Sequence, residues 1–188
     1  MRTIWMAVYL AALLTLPACG AAEAVSAEDM DTAEAAARPE KMELEFVDGE
    51  QVKSVPASLY LGDGYSIYIP DAGWSAEREQ EDGIPEDVWE SVVDDEVQVS
   101  VSLYRGIPAA EAVTIFLEAH DDFVFQELLL NDSEAKEPLE GVDEDGDVLE
   151  FILRSGNDGT YIASWEYRDP LGSAASQAEQ MVRSFVLT

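Results

Sequence analysis

Glycine-bearing turns constrain this chain more than any other feature. Asp48-Gly49, Gly62-Asp63-Gly64, Asp145-Gly146 and Gly156-Asn157-Asp158-Gly159 each stand between strand-length stretches. Asp-Gly flanked by alternating apolar residues is a strong short-range hairpin signal, because its backbone twist matches that of the strands it joins. A turn this short cannot make the long crossover that parallel neighbours need. The strands are therefore expected to be antiparallel.

The stretches between the turns fit this reading. Met42, Leu44 and Phe46 alternate with Glu43 and Glu45, as on a half-buried strand. Gln51 to Val55 returns beside them, and Pro56 reads as an edge or an interruption. Leu59–Leu61 and Tyr65–Ile69 form a second hairpin, which Pro70 ends. The acidic stretch from Glu77 to Asp87, with Gly83 and Pro85, reads as a loop. Val88–Val93 and Val97–Tyr104 follow as strands. In the latter, Val97, Val99, Val101 and Leu103 point one way and Gln98, Ser100 and Ser102 the other, implying one buried and one wet face. Pro108 suits the start of a helix whose stripe is Ala109, Ala112, Val113, Phe116, Leu117 and His120. Phe123–Leu130, Leu139–Val142, Val148–Arg154 and Tyr161–Tyr167 read as strands. Ser173 is placed to cap a last helix carrying Ala174, Ala178, Met181, Val182 and Phe185. The expected fold is α+β: a mostly antiparallel sheet of about six strands with two helices packed on it.

The first 18 residues have a different character. Met1-Arg2 is followed by an apolar run from Ile4 to Leu16, too short to cross a bilayer as a helix. Leu16-Pro17-Ala18-Cys19 then resembles the lipobox of bacterial lipoprotein signal peptides. That resemblance implies acylation of the Cys19 thiol, cleavage before it, and anchoring at the outer face of the cytoplasmic membrane, or at the outer membrane of a two-membrane host. Cys19 is the only cysteine, so no disulfide can form. Residues 19–40 are rich in Ala and Glu with no aromatic residue, and read as a flexible acidic tether. Residues 41–188 form a single globular domain.

Electrostatics narrows the partners. Forty acidic residues stand against ten basic ones, a net charge of −30. Phosphate backbones need clustered Lys and Arg, so nucleic acid is excluded. Basic peptides, glycans and cations remain, and so does an acidity that only keeps a monomer soluble. No cofactor is indicated apart from calcium, for which Asp143, Asp145, Asp147 and Glu150 are the candidate ligands. Gly146 falls at the fourth position from Asp143 rather than the sixth, so the stretch is not an EF-hand loop. His120, the only histidine, precedes Asp121-Asp122 but also sits on the apolar helix stripe, where a cation favours the helix end. No G-x-S-x-G elbow occurs. Tyr68 and Tyr104 lie out of phase with their aliphatic neighbours and are candidates for a shallow recognition surface.

The stretch Gly64-Tyr65-Ser66-Ile67-Tyr68-Ile69-Pro70 with Trp74, and the ending Met181 to Leu187, resemble small α/β lipoproteins of the PsbP-like and DcrB-like kind. The resemblance implies an accessory or binding module without catalysis and transfers no site residue. The functional expectation is thus a lipid-anchored, non-catalytic binding module. The alternatives are an envelope hydrolase and a weak calcium-binding surface protein.

Overall fold

A computed structural model describes residues 38–81, 83–125, 138–168 and 172–188. Leu16, Pro17, Ala18 and Cys19, the tether as far as residue 37, and most of the strand expected over Phe123–Leu130 lie outside the described residues. In chain order the elements are β1 (Lys41–Asp48), β2 (Gln51–Leu61), β3 (Tyr65–Pro70), β4 (Trp74–Glu81), β5 (Ile84–Ser91), β6 (Gln98–Arg105), α1 (Ala109–Ala119), β7 (Val124–Phe125), β8 (Leu139–Val142), β9 (Asp147–Gly156), β10 (Gly159–Arg168), α2 (Ser173–Arg183) and β11 (Val186–Leu187).

The chain is α+β and its strand pairs are antiparallel, as the turns require. The single sheet of about six strands is corrected. There are two sheets, one of four strands in the order β1-β2-β3-β11 and one of seven in the order β4-β5-β6-β10-β9-β8-β7. The division falls after Pro70, where the Asp71-Ala72-Gly73 turn, with Gly73 at φ +89°, leads out of β3. Alternation identifies a strand, but it does not say which sheet the strand joins.

The acidic loop is also corrected. Trp74–Glu81 and Ile84–Ser91 form a regular hairpin, with Arg78 opposite Asp87 and Glu79 opposite Glu86. β4 pairs only with β5 and is an edge strand. Such a strand needs no apolar alternation, and charges along it discourage pairing with other chains. Pro56 interrupts nothing. Its carbonyl accepts the Asp71 amide at 2.9 Å, so its polar groups face away from β1 and no ladder bond to β1 needs its missing N–H.

Two cores flank the seven-stranded sheet. On one face Val97, Val99, Val101 and Leu103 meet Trp165 and Ala163, the α2 residues Ala178, Met181 and Val182, and Ile67 of the smaller sheet. On the other face α1 brings Ala112, Val113 and Phe116 onto Leu149, Phe151, Leu153 and Ile162. This second cover is partial. Among the described residues it is one short helix, whose contacts fall on β9 and β10 and leave a groove on the β5–β6 side.

Candidate functional site

The open part of that face is a groove of about 380 Å³. Its floor follows from register. One row across the sheet reads Glu79, Glu86, Ser102, Ile162; the next Glu77, Val88, Ser100, Ser164, Phe151; the third Glu90, Gln98, Glu166, Leu149. Each row begins with a carboxylate near β4 or β5 and ends apolar near α1, the middle row only after its hydroxyls. The wall is the C-terminal half of α1, with Ile115, Phe116, Ala119 and His120.

The expectation that Gln98, Ser100 and Ser102 form a wet face is corrected here. Ser100, Ser102 and Ser164 are 6 %, 4 % and 5 % exposed. Burial on this scale requires hydrogen-bond partners. The Ser100 and Ser164 hydroxyls bond to each other at 2.9 Å, and Ser102 donates to Glu86 Oε1 at 2.9 Å. Tyr104 lines the same groove. Burial first, and the nearby Glu86 second, raise the pKa of its hydroxyl, which therefore stays protonated. Burial also raises the Glu166 carboxyl above the usual range; His120 opposes this, and Asp147, Asp122 and Asp143 add to it. No lysine or arginine among the described residues lines the groove.

The tyrosine surface is corrected. Tyr68 and Tyr104 lie on different sheets and are 3 % and 4 % exposed. The Arg38 guanidinium stacks over the Tyr68 ring at 4.4 Å, and the Tyr68 hydroxyl donates to the Pro39 carbonyl at 2.7 Å. Only Tyr104 reaches a concave site.

The calcium ligands do not converge either. Asp143 Oδ1 accepts the amides of Asp145 at 2.9 Å and Asp147 at 2.8 Å, closing its own turn. Arg168 Nε donates to Asp147 Oδ1 at 2.8 Å, and the Tyr167 hydroxyl to Glu150 Oε1 at 3.0 Å. Asp147 and Glu150 alternate along β9, so they point to opposite faces. No group of three or more His, Cys, Asp or Glu side chains among the described residues is placed to hold a metal ion. His120 closes α1: its Nδ1 lies 2.8 Å from the Phe116 carbonyl and its ring packs on Phe116.

A second polar cluster lies on the other face of β5. Asp87, 6 % exposed, accepts from the Tyr65 hydroxyl at 2.5 Å and from Arg78 at 2.6 and 3.0 Å, and Arg78 also reaches the Tyr60 hydroxyl at 3.3 Å. Burial pushes the Asp87 carboxyl up, but the bonds from Arg78 and Tyr65 outweigh it and leave it below the usual range. The cluster is fully bonded and ties the two sheets together.

No protein-family model matches this chain, and no curated protein does. A crystal structure of a protein from Bacteroides thetaiotaomicron VPI-5482 is similar at a TM-score of 0.41 and 14 % identity, over 69 % of this chain and 48 % of that one. This chain spans about half the length of that protein. So distant a likeness carries no argument about function.

Sequence reasoning missed Glu79, Glu86, Ser164 and Glu166 as groove residues. One signal for the last two was present. In Tyr161-Ile162-Ala163-Ser164-Trp165-Glu166-Tyr167 a serine and a glutamate interrupt a run that is otherwise apolar. Polar residues at alternate positions of such a strand mark a floor.

Proposed function

We propose that this chain is a non-catalytic binding module, held outside the cytoplasmic membrane by lipid on Cys19, that takes a small ligand in the groove between α1 and the β5–β6–β10 floor. The observation that carries this reading is the groove itself. Its size falls within the ~300–1,000 Å³ range of small-molecule sites, and it gathers carboxylates and hydroxyls beside Ile115 and Ala119 of α1. The absence of catalysis is argued from how those groups are spent. The serine hydroxyls bond each other and Glu86, and His120 Nδ1 faces a main-chain carbonyl. Register sets Glu86 and Glu166 two strands and four residues apart, roughly 16 Å between backbones by sheet spacing. A glycosidase pair works at ~5–9.5 Å between carboxyl groups. The anchor is argued from the lipobox resemblance and the acidic tether, and the accessory role from the PsbP-like and DcrB-like resemblance of residues 41–188.

The test is a ligand-detected NMR screen of the full chain against small amines, sugars and carboxylates. Ala119→Trp serves as the control, because it fills the groove mouth from an exposed helix position. At least one class should bind and be lost in the variant. Binding by none, or binding that Ala119→Trp leaves unchanged, overturns the groove as the site.

A further inference from the structure

We infer that the groove ligand is a linear aliphatic polyamine, an extended chain carrying ammonium groups at both ends; this deepens the binding reading above and rests on it. Four independent features point the same way.

The first is a cross-strand pair of like charge. Glu79 and Glu86 are directly opposed on β4 and β5. Like charges so placed repel, and both belong to the groove lining. An ammonium between them turns that repulsion into two charge-assisted hydrogen bonds. Ser102 already orients Glu86 from below.

The second is the helix end. Ala119 and His120, at the C-terminus of α1, line the groove, and the last turn of the helix contains no lysine or arginine. The carbonyls there carry partial negative charge that a bound cation complements.

The third is Glu166, at the far end of the floor from Glu86 and half-buried. Burial makes its ionised form costly. A second ammonium adds counter-charge to that of His120, since no lysine or arginine among the described residues lines the groove.

The fourth is the wall between these ends. Ile115 presents aliphatic surface suited to methylenes, with the buried hydroxyls of Ser100 and Ser164 bonded to each other on the floor. A monovalent metal ion would leave this wall unused, and a neutral sugar would leave three carboxylates unmatched.

The probe is spermidine, titrated calorimetrically into the purified full chain at low and at physiological salt. One saturable site is expected. Glu86→Gln and Glu166→Gln should each weaken binding by at least about tenfold, the loss of one charge-assisted hydrogen bond. Glu43→Gln on the distant β1 strand should leave it unchanged. n-Hexylamine, with one charge, should bind at least about tenfold more weakly than spermidine. The inference is overturned if spermidine gives only unsaturable heat, if the groove variants bind as the unaltered chain does, or if hexylamine binds equally well. Should spermidine fail while another ligand binds and is lost in Ala119→Trp, the groove stands and its polyamine assignment falls. Should nothing bind, both fall.

Discussion

Single residues carry much of the geometry. Gly64 sits at φ +80° in the β2–β3 turn, and a Cβ there would meet the Tyr161 hydroxyl, which donates to the Asp63 carbonyl at 3.0 Å. Gly64→Ala should therefore cost roughly 1–3 kcal/mol in urea unfolding, through strain and the displaced tyrosine. The sequence marks this glycine as a turn residue but cannot show the ring above it, because Tyr161 lies 97 positions further along the chain. Tyr65→Phe removes a buried donor to Asp87 and should destabilise by roughly 1–3 kcal/mol, while Tyr60→Phe, on the exposed side of Arg78, should cost less. Glu166→Gln is expected to move in the opposite direction. A carboxyl with a raised folded pKa destabilises once ionised, so the amide should raise the melting temperature at neutral pH and leave it nearly unchanged below about pH 4. An unchanged melting temperature at neutral pH would mean that Glu166 is not strained by its burial.

Elements differ in how openly the sequence displays them. Both helices and the central strands β6, β9 and β10 are legible, because their burial is periodic and periodicity is local. β4 is not legible. As an edge strand it is exposed along much of its length, and nothing in Trp-Ser-Ala-Glu-Arg-Glu-Gln-Glu separates it from a charged loop. The two-residue β11 leaves only a short apolar pair and is recognisable through its pairing with Tyr65 and Ser66. The groove was hidden for a related reason. Its floor joins the consecutive strands β5 and β6 to the distant β10, and only their register reveals that Glu86, Ser102 and Glu166 share a face. α1 is what converts that face into a site. Phe116, 2 % exposed, fixes the helix on Phe151 with ring centroids 4.8 Å apart. Phe116→Ala should cost about 3–5 kcal/mol and also abolish ligand retention, because the wall moves with the helix. Urea unfolding combined with the NMR screen checks both effects.

At the scale of the whole molecule, the −30 charge sets the response to solution conditions. Self-repulsion weakens the folded state and salt screens it, so added sodium chloride should raise the melting temperature. The pH response has two limbs. Glu150 and Glu166 have raised folded pKa values, so stability falls as pH rises through their window above about pH 4. Asp71, Asp87 and Asp147 are lowered, so the stability they contribute is present above about pH 4 and is lost as pH falls through their folded values. Thermal scans should therefore peak in mildly acidic buffer and collapse on the acid side. A monotonic decline from pH 8 downward would contradict the first limb.

Arg38 has a mechanical consequence. Its guanidinium holds the Ser66 carbonyl and hydroxyl at 3.1 and 2.8 Å and the Ser184 carbonyl at 2.6 Å, bracing the start of the described chain against β3 and the far end of α2. A tug on the leading segment thus loads three bonds in parallel before it can peel β1 from β2. In an optical trap, Arg38→Ala should unzip from that hairpin at a lower force than the unaltered chain. The guanidinium works as a strain relief, like the clamp on a cable where it meets its housing.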